Sequence, residues 1–374
     1  MKEITKKVYW CKNCLNMSTR PRITFDARGW CNACQWMEIK QNFDWGKRQE
    51  ELNELLNKYR SKSDNFDCIV PVSGGKDGAY ISYNLKNKYN MHPLTVTSRP
   101  PLTRELGDRN LVNFIRSGYD HVHVTANEKA MKKLNKIGFI EKGFPYYGWL
   151  ISIFSVVMRT AIQFEIPLIF YAEDGEVEYG GSTENQNIPL FDTEYMIRAY
   201  FESDYGKVLA ASGLSDRELF WFQLPTSNRL KEVDLYLTHW SYFEPWDPYQ
   251  NYLVAKEHCG LQETDESNCG TFTNFAQNDQ ALYALHCYMM YLKFGFGRAT
   301  QDAGIEIRRG AMTRDQAVNL VLLYDGQYPD EFIDLYLDYY EMNMDDFDSV
   351  LDKWVNRALF VKIDGRWQPT FTIE

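Results

Sequence analysis

Pro71-Val72-Ser73-Gly74-Gly75-Lys76-Asp77-Gly78 follows the short apolar run Cys68-Ile69-Val70 and precedes Ala79 to Lys88, a segment without Gly or Pro. The pattern predicts a buried strand, a glycine turn and a helix start in immediate succession. Such a junction attracts anions. Glycine lets the backbone approach closely, and the unpaired N–H groups of a first helical turn, with the helix dipole, favour negative charge. Val72, Ser73, Gly74, Gly75, Lys76, Asp77 and Gly78 together read as a phosphate cradle. Ser73 offers a hydroxyl donor, Lys76 a mobile positive charge, and Asp77 either a magnesium ligand or a helix cap. The stretch is not a Walker A loop. That loop needs a glycine five residues before Gly-Lys and a Ser or Thr after it, where Val70 and Asp77 stand.

Outward from the cradle, strand and helix alternate. His92 to Thr97 reads as a second strand, Leu106 to Ser117 as a helix, and His121 to Thr125 as a third strand. Leu150 to Phe164 reads as a long helix and Ile166 to Ala172 as an apolar strand. This alternation predicts an α/β domain with a parallel sheet covered on both faces, ligands meeting the carboxyl ends of its strands. Ser73, Thr97, Thr125 and Glu173 fall at such ends. His121 and His123 are expected to fill a strand face. The fourth strand runs into Glu173-Asp174-Gly175-Glu176-Val177-Glu178-Tyr179-Gly180-Gly181, where a magnesium–ATP enzyme needs oxygen ligands. Glu173 and Glu176 are the candidates, with no choice between them.

Upstream, Cys11-x2-Cys14 and Cys31-x2-Cys34 are separated by sixteen residues, with Arg28-Gly29 as a turn into the second pair. That spacing fits a tetrathiolate zinc ribbon, a closed structural site replacing a core that so short a segment cannot build. A redox pair is the weaker reading. Trp45 to Arg60, with Leu52, Leu55 and Leu56 on one face, reads as a linking helix. Downstream of about residue 215 the chain reads as mostly helical. There Trp221, Trp240, Tyr242, Phe243 and Trp246 offer either sugar-stacking surfaces or core, and Lys293 and Arg298 sit among glycines where a cation can either close over phosphates or form a salt bridge with acidic surroundings. Asp330 to Met344 reads as one amphipathic packing helix. The expected units are residues 1–45 (ribbon), 46–64 (linking helix), 65–214 (nucleotide domain) and 215–374 (a helical region completing the substrate site).

The 374 residues are 44% hydrophobic and 15% aromatic, with net charge −10, which argues against a broad nucleic-acid surface. No apolar run reaches membrane-spanning length, and Met1-Lys2-Glu3-Ile4-Thr5 lacks a signal-peptide core, so a cytoplasmic protein is expected. The remaining cysteines, Cys68, Cys259, Cys269 and Cys287, are scattered, favouring buried thiols over disulfides.

The Ser-Gly-Gly-x-Asp pattern resembles the PP-loop of the N-type ATP pyrophosphatases (adenine nucleotide hydrolase-like proteins). The resemblance implies a loop on the β- and γ-phosphates, pyrophosphate as leaving group and an adenylated substrate. Several further blocks extend it: Glu173 to Gly181, the paired cysteines, Tyr242-Phe243-x-Pro245-Trp246-Asp247-Pro248-Tyr249 and Gly270-Thr271-Phe272-Thr273-Asn274. Lys293 to Thr300 and Glu306 to Arg314 complete the set. Together they resemble the N-acetyl sugar amidotransferases of surface-polysaccharide (LPS O-antigen) and pseudaminic- or legionaminic-type nonulosonic-acid biosynthesis. The likeness covers nearly the whole chain and is weakest at 185–235. It implies an AMP-forming ligase that adenylates the acetamido oxygen of an N-acetylated sugar and installs ammonia-derived nitrogen. Lys76, Asp77, Glu173 and Glu176 would serve catalysis, while the loop residues Val72 to Gly78 with Thr97 and Arg298 would hold ATP and magnesium. It also implies a separate glutaminase subunit with a cyclase-like partner to deliver ammonia. The contexts of Met1, Cys259 and Cys269 supply no glutaminase nucleophile. The alternatives are a tRNA-thiolating PP-loop enzyme, which the net charge opposes, and a zinc-ribbon adaptor with a decayed loop, which intact Ser73, Lys76 and Asp77 oppose.

Overall fold

The computed structural model describes residues 8–201 and 205–373. The Met1–Thr5 stretch read for a signal peptide lies outside them. Five strands form one parallel sheet: β1 (Cys68–Pro71), β2 (Pro93–Ser98), β3 (His121–Val124), β4 (Leu168–Tyr171) and β5 (Tyr236–His239), in the order β3-β2-β1-β4-β5. Side chains alternate across a strand, and here the alternation feeds two separate cores. Ile69, Leu94, Val96, Ile169 and Leu237 pack on one face with the helices Glu128–Lys142 and Tyr147–Gln163. Cys68, Val70, Leu168 and Phe170 pack on the other with Lys76–Tyr83, Glu105–Arg116 and Pro248–Cys259. With both faces covered, β2 is buried along its whole length.

Each covering helix has local reasons for its ends. Asn127 caps Glu128–Lys142 by accepting from the Ala130 N–H at 3.0 Å, and Gly143 ends it in the left-handed region at φ +59. Tyr147–Gln163 is apolar nearly all round and starts three residues before the expected Leu150, its first turn buried through Tyr147, Gly148 and Trp149.

Two expectations are corrected. A boundary at 214/215 does not enclose the sheet, because β5 lies beyond it and pairs with β4 from Leu168↔Tyr236 to Tyr171↔His239. Asp330 to Met344 is not one helix. A 3-10 turn leads into Ile333–Tyr340, Glu341 takes a left-handed conformation at φ +51, and a second helix, Met344–Trp354, begins on an Asn343 cap. The helices Leu282–Phe294, Arg298–Arg308 and Arg314–Tyr324 precede these. An antiparallel hairpin, β6 (Phe360–Ile363) with β7 (Arg366–Pro369), follows them. This region packs directly on the sheet domain: buried Tyr340 donates its hydroxyl to the Pro145 carbonyl at 2.6 Å and stacks on Phe139 with ring centroids 4.9 Å apart.

At the other end, the cysteine-bearing segment continues into the helices Asn32–Lys40 and Trp45–Tyr59, the second burying Leu52 and Leu56. Among the described residues no helix is long and apolar enough to cross a membrane.

Candidate active site

In the order β3-β2-β1-β4-β5 the chain reverses direction at β1, so a crevice opens at the carboxyl ends of β1 and β4. The glycine turn sits in that crevice. Gly74 holds φ +83, and a Cβ there would lie 2.4 Å from the Leu111 backbone nitrogen. At Gly78 a Cβ would lie 2.8 Å from the Pro71 carbonyl oxygen. Both positions therefore require glycine, and the helix beginning at Lys76 is pressed against the strand end and against Glu105–Arg116. Ser73 through Gly78 line a cleft of about 390 Å³ that Glu173 and Arg298 also line.

The groups in this part of the cleft interact closely. Lys76 is ion-paired with Asp77, whose other oxygen accepts from Asn251 Nδ2 at 3.0 Å. The helix cap is Gly75 rather than Asp77, which leaves the Asp77 carboxylate facing the cleft. Tyr179 donates its hydroxyl to Glu173 Oε1 at 3.2 Å. Burial and the neighbouring Asp77 raise the Glu173 carboxyl above its ordinary range, and the Lys76 and Arg298 charges only partly offset this. Arg298, its side chain 24% exposed, donates Nε to Asp302 at 2.8 Å. Burial works against its charge, but Asp302 and Glu173 outweigh that and hold the guanidinium well above its usual value.

The facing wall comes from a distant part of the chain. Phe275, Gln277, Asp279, Tyr283, His286 and Cys287 line it. The Gly107 backbone abuts Asp279 so closely that a Cβ would lie 2.3 Å from the Asp279 Cα. Three cleft-lining groups hold buried polar atoms that find no hydrogen-bond partner among the described residues: Tyr171 Oη, Asp279 Oδ2 and His286 Nδ1. Such atoms are costly to bury unmatched, and a polar ligand would satisfy them. Burial pushes Asp279 up to about 7, against the lowering effects of Arg104 and Tyr283, and pushes His286 down to about 3. The Cys287 thiol is pushed up to about 12 by burial and is thus neutral.

The other candidates from sequence fall elsewhere. Glu176 is turned away from the cleft, held by Arg22 at 2.9 and 2.7 Å and accepting from the Ser182 N–H at 2.6 Å. Thr97 donates its hydroxyl to the Val72 carbonyl at 2.5 Å, and the Val72 N–H pairs with Val96, so both serve the sheet end rather than the cleft. Lys293 donates to the Lys142 carbonyl at 2.8 Å, outside the cleft. Trp240, Phe243 and Trp246 are buried in the core, Trp221 packs against the core on the other face, and Tyr242 lies under the Arg48 guanidinium at 3.8 Å. Sequence reasoning missed Asp279, Tyr283 and His286. Asp279 lies in the polar stretch Gln277 to Gln280, which carries no motif, and Tyr283 and His286 lie on the largely apolar helix that follows, Leu282–Phe294.

The four N-terminal cysteines converge. Sγ–Sγ distances are 3.7 Å for Cys11–Cys34, 3.6 Å for Cys14–Cys31 and 3.7 Å for Cys31–Cys34, and all four ligand atoms lie within 4.8 Å of one another. A tetrahedral zinc with bonds of about 2.3 Å sets sulfurs about 3.8 Å apart, so the donors fit a structural zinc. Supporting donors surround them: Cys31 N–H to Cys11 Sγ at 3.1 Å and Asn13 Nδ2 to Cys34 Sγ at 3.3 Å.

Residues 269–372 match the family model described as the C-terminal domain of WbpG-like LPS biosynthesis proteins. The C-terminal part of the chain is WbpG-like. That WbpG-like stretch supplies the wall facing the glycine turn, from Phe275 to Arg298, and it fits a role in LPS or related polysaccharide biosynthesis. Over 87 residues, 23% of the chain, the sequence is also 30% identical to the uncharacterized protein MJ1599 of Methanocaldococcus jannaschii. The matched stretch spans 31% of that relative.

Proposed function

We propose that the chain is an ATP-dependent, AMP-forming amidotransferase acting on an N-acetylated sugar in surface-polysaccharide biosynthesis. The observation that carries this reading is the shared cleft: the glycine turn and Glu173 form one side, and the WbpG-like segment forms the other. ATP is a substrate in this scheme, its distal phosphates on the N–H groups of the turn, with Ser73 and Lys76 beside them. Asp77 and Glu173 are the oxygen donors suited to a magnesium ion, which would supply charge neutralisation on the phosphates.

The chemistry needs no protein nucleophile. The acetamido oxygen attacks the α-phosphorus, an O–P bond forms, and the bond to pyrophosphate breaks. Lys76 and the turn amides take up the charge on the departing pyrophosphate. Ammonia then attacks the activated carbon, AMP leaves with the former amide oxygen, and loss of the surplus protons leaves an acetamidine. Positioning and electrostatics suffice for both steps. Ammonia comes in this reading from a separate glutaminase with its cyclase-like partner, and concentrated ammonium salts should substitute. The neutral Cys287 thiol counts against the tRNA-thiolating alternative, which needs a reactive sulfur in the cleft.

The test is pyrophosphate and AMP release from ATP with N-acetylated uronic-acid or nonulosonic-acid-type sugars plus ammonium. A product one mass unit lighter, oxygen exchanged for NH, supports the reading. Formation of ADP without AMP refutes it.

A further inference from the structure

The segment after Glu173 is gripped from outside the cleft by the cysteine-bearing module. Asn16 Nδ2 donates to the Tyr179 carbonyl at 2.9 Å and also lies 3.4 Å from Cys31 Sγ, so one amide spans a metal-ligand sulfur and the site loop. Asn32 Nδ2 donates to the Gly181 carbonyl at 2.7 Å. Lys40 Nζ reaches both oxygens of Glu178 at 2.7 and 2.8 Å, with the two side chains only 3% and 9% exposed. Gly180, at φ +91, permits this approach, since a Cβ there would lie 2.8 Å from Asn16 Nδ2. Buried ion pairs of this kind add little net stability, and their best-attested use is to fix register. On the cleft side of the same segment, the Tyr179 hydroxyl holds Glu173 Oε1, and its ring lies 5.7 Å from the Arg298 guanidinium.

We propose that the tetrathiolate site and the nucleotide cleft are thermodynamically coupled through Asn16, Tyr179 and Glu173, so that the ribbon acts as a positioning element for the cleft. The proposal rests on the nucleotide reading above. An intact ribbon fixes the Tyr179 main chain, and Tyr179 fixes the Glu173 carboxylate where magnesium–nucleotide meets it. Ordering Glu173 by ligand in turn steadies Tyr179 and the Asn16 amide against Cys31. Coupling of binding free energies is reciprocal, so nucleotide must tighten zinc by the factor with which zinc tightens nucleotide.

The experiment uses the full zinc-loaded chain. Zinc affinity is measured by competition with a chromogenic chelator, with and without saturating magnesium and α,β-methylene-ATP, and binding of that analogue is measured separately by calorimetry. The expected result is a zinc affinity about tenfold higher with the analogue present, within the range usual for coupled sites, and a matching loss of analogue affinity in the zinc-stripped chain. Tyr179→Phe removes only the hydroxyl and leaves the carbonyl that Asn16 uses. It should keep the wild-type zinc affinity without nucleotide and lose most of the nucleotide-dependent gain. Analogue binding with no change in zinc affinity overturns the coupling and leaves the nucleotide reading standing. No analogue binding at all overturns that reading and the coupling with it. Full coupling in Tyr179→Phe overturns the route.

Discussion

Replacing Asp279 by asparagine removes an ionisable group from the cleft wall while keeping its shape. The carboxyl has an ordinary value of 3.8 and is pushed up to about 7 by burial, with Arg104 and Tyr283 only partly opposing. Its Oδ2 is buried with no hydrogen-bond partner among the described residues. An acid whose folded-state value is raised holds its proton more tightly folded than unfolded. Below about pH 4 both states are protonated and there is no penalty. The penalty grows as pH rises through the window and is complete above about pH 7. A rise of this size corresponds to a ceiling of about 4 kcal/mol. The cleft is open to solvent on one side, so a measured gain of about 1–3 kcal/mol is expected. The assay is urea denaturation of both proteins across the window. Asp279→Asn should match wild type near pH 4 and exceed it near pH 8, with the gap opening between. Equal stability at the alkaline end, or a gap constant with pH, would refute the reasoning.

Asp77→Ala should abolish pyrophosphate release with an unchanged circular dichroism spectrum, because it frees Lys76 and Asn251 without opening the core. Undiminished turnover would remove Asp77 from the chemistry. Gly74→Ala should lower the melting temperature and eliminate nucleotide binding in a calorimetric titration. Its left-handed φ of +83 costs about 1–2 kcal/mol for a side chain, and the Cβ would overlap the Leu111 backbone. Gly206→Ala, whose Cβ would meet nothing within 4 Å among the described residues, is the neutral control. Lys40→Met should cost about 3–5 kcal/mol in urea melts by stranding the buried Glu178 carboxylate, and Lys40→Met with Glu178→Leu should recover much of it.

Local pattern was legible wherever one segment carried its own signal. Cys68-Ile69-Val70 before a glycine turn, and the wholly buried β2, announce themselves by composition. The cysteine spacing marked four thiols that do converge. β5 had no such signal: Tyr236-Leu237-Thr238-His239 holds one aliphatic residue, and its strand character comes from pairing with β4. The break at Glu341 was hidden because a non-glycine residue takes the left-handed turn. Trp240, Phe243 and Trp246 show why aromatic density misleads, since core and sugar platform draw on the same residues. Asp279 was invisible for a different reason. Its meaning comes from Gly107, far away in the chain, packing against its backbone to close the cleft.

The acidic run after β4 is where local pattern and tertiary structure meet. Its four carboxylates look alike in sequence, yet each has a separate task. Glu173 alone enters the cleft. Asp174 caps the short helix that follows, accepting from the Glu176 N–H at 3.0 Å, and takes the Tyr195 hydroxyl at 3.3 Å. Glu176 anchors Arg22, and Glu178 takes Lys40 and the Trp36 indole, the latter at 3.2 Å. Glu173 carries a charge that burial disfavours, and the Tyr179 hydroxyl at 3.2 Å holds only one of its oxygens. It needs a rigid backbone on either side. The three neighbouring carboxylates provide that backbone by tying it to the ribbon and to Tyr195. The acidity of the run therefore reflects how firmly one cleft carboxylate is held, rather than how many carboxylates enter the cleft.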